Sequence, residues 1–161
     1  MIGVGLMFLI DEGMTIREIK KEIDEILKPI KVFCKRWDVQ FHYEADAIVM
    51  KPVIEKIDEL IILLNQQEDE QLKARVGKFD KLKKDLDLLA KSIGQLKDLE
   101  VALIYNVLLA DRMQAELVED KWMWEEFQIK NISTPKVCYL YQEACSSLLE
   151  MIRYNQILAG S

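Results

Sequence analysis

The stretch Leu99–Leu117, LEVALIYNVLLADRMQAEL, constrains the fold most, because between Val101 and Ala110 its only clearly polar side chain is Asn106. A helix of that composition needs protein on nearly every side. Its unbroken apolar part is about ten residues against the roughly twenty that a transmembrane helix requires. The chain is therefore expected to wrap this helix itself. The fold that follows is an all-α, single-domain helical bundle of roughly five to seven helices packed around a central apolar helix at about 96–118. Asn106 has two readings, a hydrogen-bonded core residue or the helix's one exposed edge.

The remaining segments supply amphipathic faces for that helix to pack against. Thr15 followed by Glu18 is a capping box. From there Ile16, Ile19, Ile23, Ile26, Ile30, Phe33 and Trp37 recur at steps of three and four, a seam of the bundle kind. Pro29 lies inside the seam and predicts a kink or a tight break at Lys28, within a helix or helix pair over 15–50. After Pro52 a helix over 53–67 carries Val53, Ile57, Leu60 and Leu64 on one stripe, and Asn65–Gln71 is a polar connector. A helix over 71–92 then carries Leu72, Val76, Phe79, Leu82, Leu86, Leu89 and Ile93.

One uninterrupted helix from Leu72 to Leu117 would be roughly 70 Å long, too long for a domain of this size. Ser92 and Gln95 have capping-box spacing, so a break is expected near Ser92–Gly94, ahead of a helix over 95–119. A helix over 120–130 follows. Ser133-Thr134-Pro135 opens the last helix, 135–158, which turns Val137, Tyr141, Ala144, Leu148 and Ile152 inward. Only 6 glycines and 3 prolines among 161 residues agree with a helical chain.

Charge and cysteine usage exclude several functions. A net charge of -6 opposes general attraction to nucleic-acid phosphates and unassisted binding to an anionic membrane. The three cysteines, Cys34, Cys138 and Cys145, include no close-spaced pair, which argues against a disulfide framework and for a reducing, cytoplasmic setting. No glycine-rich phosphate loop or protease signature accompanies them, so no enzyme activity, cofactor or small-molecule substrate is expected. On a helix, Cys34, Asp38, His42 and Asp46 would follow one another at four-residue steps. Asp38, His42 and Asp46 are the weak metal-ligand candidates of a metal-binding bundle, although one straight helix brings only about two such groups to an ion.

Two segments are candidate contact surfaces. Met1–Ile10, within an apolar N-terminal segment 1–13, offers Ile2, Val4, Leu6, Phe8 and Leu9 either to a groove of the same domain, to a partner or to a membrane surface. The second set is Trp122, Trp124, Phe127 and Ile129, whose types suit interaction hot spots. On an ideal helix Trp122 and Trp124 lie about 200° apart, so they cannot both face one core. Lys73, Lys78, Lys81, Lys83, Lys84, Lys91 and Lys97 alternate with Asp80, Asp85, Asp87 and Asp98, the pattern of a solvated, salt-bridged face.

The apolar Met1–Ile10 and the run Pro52-Val53-Ile54-Glu55-Lys56-Ile57-Asp58-Glu59-Leu60, leading into a charged helix, resemble helical signalling bundles. These are the HeLo-type domains of fungal cell-death proteins and the resistance-type coiled-coil domains of plant immune receptors. The wrapping of amphipathic helices round one apolar helix is also distantly similar to apoptosis-regulator folds, without their signature motifs. The first resemblance implies an N-terminal segment that enters membranes on oligomerisation, yet the polar face of an inserting helix is lacking in Met1–Ile10. The expected function is thus a non-enzymatic intracellular protein-interaction module: an adaptor, regulator or assembly domain with a protein partner or a second copy of itself. The alternative is a membrane-active signalling bundle that makes peripheral membrane contact through its N-terminus.

Overall fold

The computed structural model describes residues 13–160. Within them the chain is mostly helical, with one two-stranded antiparallel sheet. In order the elements are α1 (Ile16–Trp37), β1 (His42–Glu44), β2 (Ala47–Val49), α2 (Lys51–Asn65), α3 (Glu70–Lys73), α4 (Val76–Ile93), α5 (Asp98–Leu103), a π-helical segment (Ile104–Leu109), α6 (Gln114–Leu117), α7 (Lys121–Glu126) and α8 (Thr134–Ala159). No helix among them is long and apolar enough to cross a membrane.

The capped starts form as their sequences dictate. The Thr15 hydroxyl accepts the Glu18 amide at 3.2 Å and the Ser133 hydroxyl accepts that of Lys136 at 3.3 Å, each satisfying a donor the helix itself cannot. Helix α1 runs unbroken through Pro29, so of the kink or tight break expected at Lys28 the break does not form. Leu27, Ile30 and Phe33 are buried on either side of the proline, and that packing outweighs the one missing backbone donor.

The helix or helix pair expected over 15–50 ends far sooner, at Trp37, and no second helix follows before Lys51. Asp38 closes it in the left-handed conformation, φ 52°, its amide donating to the Cys34 carbonyl. A hairpin follows, with Tyr43 opposite Ile48 and Glu44 opposite Ala47. Val39, Phe41 and Tyr43 alternate with Gln40, His42 and Glu44, the period of a strand and not of a helix. The two-residue connection, Ala45 at φ 50° and Asp46 at φ 62°, has the double positive φ that matches strand twist.

The break expected near Ser92–Gly94 is present, but Ser92 is not its cap. Ser92 lies inside α4, where its hydroxyl donates to the Leu88 carbonyl, while Gly94 ends the helix. Buried Asn155 donates to Ser92 Oγ at 2.9 Å and to Gln95 Oε1 at 2.8 Å, tying this break to α8.

The apolar stretch Leu99–Leu117 does not form the expected single helix over 95–119. After α5 its hydrogen bonding shifts to the π pattern, and the segment ends at Leu109, with Asp111 left-handed at φ 55°. Val101–Ile104 are buried, but Tyr105–Leu109 are only half-buried. Helix α8 packs against α1, α4, α5 and α6 as well as the π segment. It buries Val137, Tyr141, Ala144, Leu148 and Ile152 as predicted, and Cys145 and Leu149 besides.

Candidate functional site

The two tryptophans of α7 separate as their spacing requires. Trp122 is 61% exposed and Trp124 only 2%. Trp124 donates its indole N–H to the Leu117 carbonyl at 2.6 Å, and Met123 beside it is buried. A buried indole that satisfies its donor is a structural anchor. Phe127 and Ile129, expected on the same helix over 120–130, lie beyond its end at Glu126 and are half-buried. Gln128, left-handed at φ 58°, turns the chain between them. Of the four residues only Trp122 offers a large free apolar surface. The other contact candidates, Ile2, Val4, Leu6, Phe8 and Leu9, lie outside the described residues.

Asp38, His42 and Asp46 do not share a helix face, because each sits on a different element: the α1 cap, β1 and the hairpin turn. Asp46 instead accepts the Tyr43 hydroxyl at 3.4 Å. Among the described residues no group of three His, Cys, Asp or Glu side chains is placed to hold a metal ion. The Cys34 and Cys145 thiols are poorly suited to nucleophilic work. Burial pushes Cys34 up to about 11 and raises Cys145 as well, and a protonated thiol is inert.

Around the hairpin the fold assembles a surface that sequence spacing did not reveal. The ring of Tyr43 stacks on that of Tyr105, centroids 5.3 Å apart, joining the hairpin to the π segment. The Tyr43 phenol is pushed up to about 12, chiefly by burial and then by the charge and hydrogen bond of Asp46, with Glu126 and Asp98 adding to it. Those three carboxylates come from the hairpin turn, the end of α7 and the start of α5. None makes an ion pair within the described residues. Asp98 tolerates this because it lies in the first turn of α5, where the helix dipole favours a negative charge. Glu126 lies four residues after Trp122, hence on the same side of α7. Trp122, Glu126 and Tyr43 thus lead from α7 to the hairpin. The only signal in the sequence was the strand-like alternation from Val39 to Glu44.

The neighbouring segment is held by a polar clamp. Arg112 donates to both Asp120 oxygens, at 2.6 and 3.2 Å, and to Asn106 Oδ1 at 3.0 Å, while Asn106 Nδ2 donates to the Ala102 carbonyl. The hydrogen bond to Asp120 is the main reason that the Arg112 pKa is raised. Asn106 is thus hydrogen-bonded, as the first of its two readings expects, but half-buried and not in the core. On the other side Lys31 bonds the Leu108 carbonyl at 3.0 Å and pairs with Asp111. These contacts occupy the polar groups freed where the π segment ends. The lysine-rich face of α4 is partly neutralised, with Lys83 on Asp58 of α2 at 2.7 Å and Lys81 on Asp85 at 3.1 Å.

No protein-family model, curated protein or solved structure matches this chain.

Proposed function

We propose that this chain is a non-enzymatic protein-interaction module whose anchor is Trp122. The observation that carries this reading is the contrast on α7. Trp122 stands mostly free of the domain, while Met123 and Trp124 on the same short helix are buried. A large aromatic side chain on a fixed backbone loses little conformational freedom on binding, and tryptophan is the side chain most enriched at the centres of interfaces. Glu126, on the same side of α7 as Trp122, gives the surface beside it a negative charge, which selects partners and speeds encounter.

The test is affinity capture from the native source with the full chain and its Trp122→Ala variant, alongside light scattering to detect self-association. Trp122→Ala is expected to change stability by less than about 0.5 kcal/mol, as surface substitutions do, and to lose the partner or the self-association that the natural chain shows. Equal retention by both chains overturns the reading.

A further inference from the structure

Between β2, the end of α4 and the start of α5 lies a cavity of about 200 Å³. Ile48, Ile93, Leu96 and Val101 are among the apolar residues lining it, and its only charged lining residues are Asp46 and Asp98, both exposed and so at its mouth. The volume is below the roughly 300 Å³ at which small-molecule and cofactor pockets begin. It exceeds the roughly 150 Å³ of an apolar cavity that accepts benzene, so it suits one side chain. A wholly aliphatic guest would leave the two carboxylates facing apolar atoms.

Lys97, adjacent to Asp98 in sequence, does not supply the missing cation. It lines a different groove, with Tyr139, Glu143 and Glu150. The carboxylates at the mouth have no ion pair within the described residues, and Glu126 extends the same acidic surface towards Trp122.

We infer that this cavity receives a lysine or arginine side chain from a protein partner, its aliphatic stem among Ile48, Ile93, Leu96 and Val101 and its charged head between Asp46 and Asp98. Long cationic side chains bury their stems and keep their heads at the surface, which is the polarity this cavity presents. Charge complementarity fixes the sign of the guest, and the chain's net charge of -6 steers cationic segments towards it. The inference rests on the protein-interaction reading and names the chemistry of the partner segment.

Selection of random peptides displayed on phage against the full, folded chain tests it. Enriched peptides are expected to carry lysine or arginine beside apolar residues. Their affinity is expected to fall at least about tenfold on the Asp46→Asn/Asp98→Asn double variant, the scale of a lost charge-assisted contact. These are near-isosteric changes at exposed positions, and circular dichroism verifies the fold. Asp46→Lys, at the hairpin turn, is a second variant that should reject the same peptides. Enrichment of peptides without a cation, or basic peptides that bind both acidic-site variants undiminished, overturns the inference. If such peptides still depend on Trp122, the interaction reading survives alone, and failure to enrich any sequence overturns both.

Discussion

The Leu99–Leu117 stretch and helix α8 divide the work of this fold in an instructive way. The first is the more uniformly apolar in sequence, yet its helix ends at Leu109 and its second half is only half-buried. The second alternates apolar with polar residues and packs against α1, α4, α5, α6 and the π segment. A helix that is apolar all round has no preferred face, so its hydrophobicity says that it is buried without saying against what. Small side chains decide more. Ala144 and Cys145 are adjacent and wholly buried on α8, where their small side chains present little bulk to the helices packed around it.

The largest expected effect separates these two helices energetically. Leu148→Ala, at a fully buried position of α8, is expected to cost about 3 kcal/mol, whereas Leu109→Ala in the half-buried π segment should cost about 1 kcal/mol. Urea denaturation measures both, and equal costs would mean that the two helices are equally central. Trp124→Ala is of the same order as Leu148→Ala, about 3 kcal/mol, because it empties a buried site; the Leu117 carbonyl loses the indole but keeps the Asp120 amide as a donor. That loss contrasts with the near-neutral Trp122→Ala.

A smaller effect concerns what stops the apolar helix. The Arg112–Asp120 pair is bidentate, with side chains 32% and 18% exposed. A double-mutant cycle with Arg112→Ala and Asp120→Ala is expected to give a coupling of about 1 kcal/mol. Faster amide hydrogen exchange from Leu108 to Arg112 in either single variant would localise the effect to the end of the π segment. No coupling would show that the clamp does not hold this terminus.

The smallest effect reads the contact between the two helices directly. The Glu150 carboxyl of α8 is raised above its ordinary value, first by burial and then by Glu100 of α5. A carboxyl raised by folding favours the folded state below its unfolded pKa, and that contribution is lost as pH rises through the folded value. Glu150→Gln is therefore expected to raise the melting temperature slightly at neutral pH, with the gain vanishing below about pH 4, where the unfolded carboxyl is also protonated. A gain independent of pH would point to packing instead of charge.

Much of this fold was legible because local patterns and tertiary demands agree. The seam through Ile19, Ile23, Ile30 and Phe33 is buried in α1, the five inward residues of α8 are all buried, and the tryptophan spacing foretold one exposed ring. The hairpin escaped because heptad spacing and strand alternation overlap at Trp37–Phe41, and the period of two begins only at Val39. The candidate site was half legible. Trp122 could be named from its neighbours, but Asp46, Asp98 and Glu126 lie on three elements far apart in sequence, and no local spacing joins them.

Propensity, capping and periodicity act within a few turns, so the residues alone dictate that the chain is mostly helical, where most helices begin, and which side of each amphipathic helix turns inward. Packing across the domain makes α8 the helix most others pack on, turns the apolar stretch into a π segment with a clamp, and sets Tyr43 of the hairpin on Tyr105. Those outcomes depend on side-chain volumes and unpaired polar groups meeting across the domain, and such encounters leave no period in the chain.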